Sequence, residues 1–61
     1  MTFMQVFEDL SERLNIPMLD ILDSLRKTAG YQEASTLAAH GADREAVEFQ
    51  LKRGLRELKV L

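Results

Sequence analysis

Residues 38–54 read AAHGADREAVEFQLKRG. Gly41 interrupts one helical pattern, Asp43 stands where an N-cap would open the next, and basic side chains follow. This punctuation predicts two helices joined by a short turn, the second starting at Asp43 and running towards Val60. At about 100° per residue, Val47, Leu51, Leu55 and Leu58 form one narrow stripe along it, with Gly54 on the same side. An interior glycine costs a helix about 1 kcal/mol relative to alanine. Gly54 therefore either admits a close backbone neighbour or kinks and ends the helix, and the sequence leaves both open. Ala42, Ala46, Phe49 and Val60 fall on the opposite side, beside Lys52, Arg53, Arg56 and Lys59.

The helix before the turn, YQEASTLAAH (31–40), is short, and Ala34, Leu37 and Ala38 give it a narrow face of small apolar side chains that permits close packing. Further upstream, NIPMLDILDSLRKTAG (15–30) predicts a helix with Asn15 as N-cap and Pro17 in its first turn, where a missing N–H costs little. Met18, Leu22 and Leu25 form its stripe, widened by Leu19 and Ile21. Arg26 and Lys27 suit its C-terminal end, and Gly30 is its expected C′ residue. At the start of the chain, Phe3, Phe7, Leu10 and Leu14 recur as one continuous stripe over residues 3–14, and Thr2 with Gln5 fits a capping box. No segment alternates as a strand would. The expected fold is all-α: one domain, residues 1–61, a compact bundle of about four helices with a helix-turn-helix-like core and no β-sheet.

A chain of 61 residues buries only about 60% of its unfolded surface, so its own core leaves it marginally stable. Small domains usually add disulfides, a metal or oligomerisation. There is no cysteine and His40 is the single histidine, which removes disulfides and the usual zinc frameworks and leaves self-association as the expected support. The start, MTFMQVFEDLSERL, is acidic by position 8 and does not read as a signal peptide. No apolar run approaches the roughly 20 residues that cross a bilayer, so the expectation is a cytoplasmic protein without membrane contact. Net charge is −2, unevenly spread: residues 1–24 hold five acidic groups against Arg13, residues 25–61 seven basic against five acidic. Opposed ends of this kind suit head-to-tail docking or an oriented partner better than a nucleic acid.

Catalytic chemistry is not written in the chain. Glu8/Glu12, Asp20/Asp23 and Glu45/Glu48 each put two carboxylates on one helical face, as solvated acidic faces do routinely. His40 is placed to meet the terminal carbonyls of its helix, and Ser11, Ser24, Ser35 and Tyr31 have no adjacent base or glycine-rich elbow. There is no phosphate loop, nucleotide fingerprint or calcium loop. The expectation is a non-enzyme with no catalytic residue, metal, cofactor or small-molecule substrate. Among the methionines, Met18 belongs to a core stripe, whereas Met4 lies beside Phe3 and Phe7 and suits either core or contact surface.

ILDSLRK (21–27), EASTLAAHGADREAVEFQL (33–51) and LRELKVL (55–61) together resemble the helical core of winged-helix and related helix-turn-helix regulators. In that pattern an apolar first helix precedes an A-x-x-L-A helix and a G-x-x-R-x-x-V-x-x-x-L recognition helix; Ala34, Leu37, Ala38, Gly41, Val47 and Leu51 hold the matching positions. The match covers roughly two-thirds of the chain and implies tri-helical packing more than any one function. Three departures stand out: no β-hairpin wing follows the pattern, the first 14 residues lie outside it, and the recognition position opens with Asp43, Arg44, Glu45 and Glu48. Carboxylates there are repelled by phosphates, although they can accept from cytosine.

Two readings follow. In the first, the protein is a small regulator or adaptor that works by protein–protein contact as a homodimer. Phe49, Arg53, Arg56 and Val60 then form the contact, and Phe3 with Met4 a second surface, because an aromatic among arginines is a composition favoured at interfaces. The competing placement has the first helix folding back over Phe49 within one molecule. In the second reading, the protein is a DNA-binding helix-turn-helix regulator with Arg44, Gln50 and Lys52 near the groove and Arg53 and Arg56 on phosphates.

Overall fold

Thr2 opens the fold by satisfying two otherwise orphaned donors. Its hydroxyl accepts from the Gln5 N–H and the Gln5 side chain accepts from the Thr2 N–H, the expected capping box. A computed structural model describes residues 2–61 of the protein. Four helices follow one another, α1 (Phe3–Leu14), α2 (Leu22–Leu25), α3 (Ala29–Ala39) and α4 (Arg44–Glu57), and no strand occurs among the described residues. The Cα radius of gyration is 10.2 Å, against about 10.5 Å for a compact domain of this length. The described residues therefore form a compact all-α bundle.

The core is assembled from Val6, Phe7 and Leu10 of α1, Met18 and Leu25 of the following segment, Ala34 of α3, and Val47, Leu51 and Leu55 of α4. Of the stripes expected from periodicity, Phe7, Leu10, Met18, Leu25, Ala34, Val47, Leu51 and Leu55 are buried, while Phe3, Leu14, Leu22, Leu37, Ala38 and Leu58 are half-buried around them. Phe3 and Tyr31 are half-buried at its edge and meet edge to face, ring centres 5.3 Å apart, with Phe7 beside them.

The segment between α1 and α3 departs from expectation. Asn15 is not the N-cap of a helix; it ends α1 in the left-handed conformation, φ 54°, which asparagine tolerates better than most residues. Its N–H and that of Ile16 return to Glu12 and Ser11 in the Schellman pattern. The Ser11 hydroxyl then ties down the exit by donating to the Ile16 carbonyl and accepting from the Met18 N–H. From Met18 to Thr28 the backbone is wound mostly by i→i+3 bonds, tighter than an α-helix, and α2 is only one α-helical turn within it. Periods of 3.0 and 3.6 select nearly the same side chains over so short a run. Met18 and Leu25 are therefore buried as expected while the long helix is absent.

Gly30 is not a helix stop either. Thr28, extended at φ −77° and ψ 149°, caps α3 by accepting from the Tyr31 N–H, and Gly30 is the second residue of the helix. Gly30 and Gly54 face each other across the α3–α4 contact, the most extensive between helices. A Cβ on Gly30 would lie 2.5 Å from the Gln50 carbonyl oxygen and 2.7 Å from the Gly54 Cα, both backbone. Gly54 is thus a site of close approach, and α4 runs through it to Glu57 without stopping. Gly41, at φ 75°, makes the left-handed turn that closes α3, with Gly41 and Ala42 N–H groups returning to Ala38 and Leu37. Asp43 precedes α4 as expected, although its side chain makes no capping bond.

Candidate functional site

The two faces of α4 separate cleanly. Val47, Leu51, Gly54 and Leu55 are buried and Leu58 is half-buried, while Phe49, Arg53 and Arg56, about half a turn away around the axis, are exposed. Phe49 is 60% accessible, as accessible as any large apolar side chain in the bundle. Sheltering a phenylalanine is worth roughly 1.5–3 kcal/mol, so the single molecule forgoes most of that term here.

The first helix does not fold over this ring. It meets α4 around the axis from Phe49, through four charged side chains: Arg13 pairs with Asp9 at 2.8 Å and with Glu48, and Arg44 pairs with Asp9 and, at 3.5 Å, with Glu48. Glu48 is the most covered of the four, its side chain 14% accessible. Two carboxylates and two guanidiniums alternate, so α1 is locked to the opening turns of α4 by a closed, charge-neutral cluster. Exposed pairs contribute only about 0.2–1 kcal/mol each, more when networked, so the cluster fixes the register of α1 more than it adds stability.

Other residues singled out from the sequence are distributed as follows. Arg44 lies in the charge cluster. Gln50 is half-buried and its side-chain oxygen accepts from Arg53 Nη1 at 3.1 Å. Lys52 is half-buried beside the Phe49 face, and none of Lys52, Arg53 and Arg56 pairs with a carboxylate among the described residues. Val60 is exposed but leaves the helical projection, because α4 ends in another Schellman turn. Lys59 is left-handed at φ 61°, its N–H returns to Arg56, and the Val60 N–H returns to Leu55. Phe3 belongs to the aromatic cluster with Tyr31 and is half-buried, whereas Met4 is exposed. His40 is exposed and caps α3 through its backbone N–H.

One surface concavity was not foreseen. A groove of about 390 Å³ runs between α1 and the turn that follows it, lined by Phe7, Glu8, Ser11, Glu12 and Leu19. Leu19, expected to widen a core stripe, is instead 60% exposed because the tight winding after Pro17 turns it outward. A second concavity, about 460 Å³, is bordered by the charged residues Asp23, Arg26 and Lys27. Among the described residues no three His, Cys, Asp or Glu side chains stand close enough to hold a metal ion. No helix among the described residues is long and apolar enough to cross a membrane. Comparison with protein-family models, with curated proteins and with solved structures finds no match.

Proposed function

We propose that this chain is a non-enzymatic small regulatory or adaptor protein that acts by protein–protein contact, as a homodimer, through the Phe49 face of α4. The observation that carries the reading is the 60% exposure of Phe49 on the helix face opposite the core, beside guanidiniums that no carboxylate engages among the described residues. A ring of this kind supplies contact area and arginines supply orientation, the combination enriched where binding energy concentrates. Met4, exposed on α1, is the remaining element of the second surface. The proposal sets the protein in the cytoplasm, where a chain without cysteine forgoes no disulfide. Sedimentation velocity of the wild type and of Phe49→Asp tests it. The wild type should sediment as a dimer at tens of micromolar, and the variant as a folded monomer. A monomeric wild type at the highest soluble concentration removes self-association, and a variant with unchanged assembly removes Phe49 from the contact.

The unpaired cluster of Lys52, Arg53 and Arg56 favours a second reading, a DNA-binding regulator of the helix-turn-helix kind. The short α3–turn–α4 connection supports it, and the pairing of Arg44 with Asp9 and Glu48 counts against it. Binding to duplex DNA should then weaken with salt by about 0.9 in log–log slope per phosphate contacted. Absence of binding to any duplex at low salt leaves the protein-contact reading alone.

A further inference from the structure

We propose that the groove between α1 and the turn at residues 15–21 is the receptor for the Phe49–Arg53–Arg56 face of a second copy of the chain, an inference that rests on the self-association reading above. Charge complementarity supports this pairing, because the Phe49 face carries the unpaired cations Arg53 and Arg56 among the described residues. The groove offers the opposite sign. Glu8 and Glu12 stand one helical turn apart on its wall, both exposed, and neither pairs with a cation among the described residues.

Size and spacing agree with charge. A cavity of about 150 Å³ takes up a benzene ring, so a groove of about 390 Å³ with the exposed Leu19 on its wall has room for the benzyl group of Phe49. Phe49, Arg53 and Arg56 follow one another at i, i+4 and i+7, and Glu8 and Glu12 at i and i+4. At about 1.5 Å per residue, a helix laid along α1 with its ring between Glu8 and Glu12 carries Arg53 about 6 Å to one side, which brings that guanidinium toward the carboxylate on the same side. Leu19 and Phe49, equally exposed on the isolated molecule, would cover each other. Because donor face and receptor groove are different patches, each subunit uses both. Two reciprocal contacts close a dimer, and an unreciprocated contact leads to longer assemblies.

Charge reversal in separate proteins tests the pairing. Glu8→Lys/Glu12→Lys makes groove and face both basic, and Arg53→Glu/Arg56→Glu makes both acidic. Each variant alone should be a folded monomer by circular dichroism and sedimentation, and an equimolar mixture should recover wild-type assembly, since each groove again meets a face of opposite sign. Leu19→Ser should weaken self-association about tenfold without a change of charge. Two results overturn the groove while leaving the Phe49 reading intact: Glu8→Lys/Glu12→Lys associating as the wild type does while Phe49→Asp is monomeric, or a mixture that stays monomeric. Loss of association in the arginine variant alone would assign the α4 face to another surface or another protein. A monomeric wild type overturns both readings.

Discussion

A hydrogen atom where other residues carry a carbon sets how closely α3 and α4 approach. At Gly30 the obstacles to a Cβ are backbone atoms of Gln50 and Gly54, which cannot rotate away. At Gly54 they are the Thr28 hydroxyl at 2.7 Å, the Tyr31 nitrogen at 3.1 Å and a Leu25 methyl at 3.3 Å, of which only the last yields readily. The Thr28 hydroxyl is committed on both sides, donating to the Leu25 carbonyl at 2.7 Å and accepting from Tyr31. Helix propensity alone would make Gly→Ala favourable by about 1 kcal/mol at either position. Overpacking costs about 1–3 kcal/mol, occasionally more, so the clash should win. We predict that Gly30→Ala loses about 3 kcal/mol in urea unfolding and Gly54→Ala about 1–2 kcal/mol. A domain of 61 residues holds roughly 3–9 kcal/mol in total, so the first variant should keep about 0–6 kcal/mol and unfold at a markedly lower urea concentration. Gly41→Ala meets no atom within 4 Å, and its cost, about 1–2 kcal/mol, would come from the left-handed backbone alone. A Gly54→Ala protein more stable than wild type would refute the close-approach account.

Among the elements, α3 depends on α4 for more than apolar contact. The Glu57 carboxylate, in the last turn of α4, accepts from the Gly30 N–H at 2.9 Å and the Ala29 N–H at 3.3 Å, satisfying donors that the α3 helix leaves orphaned. Its negative charge also sits at the favourable end of the α3 dipole. Glu57→Ala should cost about 0.5–2 kcal/mol, the range of a lost cap. Amide exchange should show it first at Ala29 and Gly30, and unchanged protection there would mean that water caps α3 equally well. The elements were unequally legible in the sequence. For α1, the capping box and an uninterrupted stripe agree, so both type and bounds follow. Gly41 and Asp43 likewise bracket the α3–α4 turn. Between them, local chemistry pointed two ways. Asn15 is both a good N-cap and a good left-handed terminator, and Pro17 suits either a first turn or the exit from a helix. Tertiary contact decided: Ser11 reaches Ile16 and Met18 across the turn, which no periodicity reports. Gly30 misled for a related reason, since a glycine kept for close approach looks like one kept for a helix stop. Thr28, two residues before it, was the available N-cap signal.

At the scale of the whole molecule, the candidate contact face was legible because an apolar side chain opposite a core stripe is a matter of angle along one helix. Phe49, Arg53 and Arg56 needed nothing else. Val60 is exposed beyond the left-handed turn at Lys59, outside the helical projection, and Phe3 is half-buried against Tyr31, which comes from another element. The groove beside Leu19 was invisible for the same reason as the tight winding that creates it. The charge asymmetry survives folding in a particular form: Arg13 and Arg44 are consumed in the α1–α4 cluster, while among the described residues Glu8 and Glu12 stay unpaired on one surface and Arg53 and Arg56 on another. Under the proposed self-association through the exposed Phe49 ring, stability depends on concentration, because association favours the folded state over the unfolded by mass action. Each tenfold rise in concentration above Kd should add about 0.7 kcal/mol per subunit, half the roughly 1.4 kcal/mol that a tenfold change in free ligand represents. For a domain of this size that is a rise in Tm of about 3–5 °C. Scanning calorimetry from ten micromolar to one millimolar should therefore show a climbing Tm for the wild type and a flat one for Phe49→Asp. The variant's Tm should equal the wild type's low-concentration limit, because Phe49 has little contact with its own core to lose. A flat wild-type Tm across that range would mean that the ring at 49 faces water in solution, and the α4 face would have to be assigned to a different macromolecule.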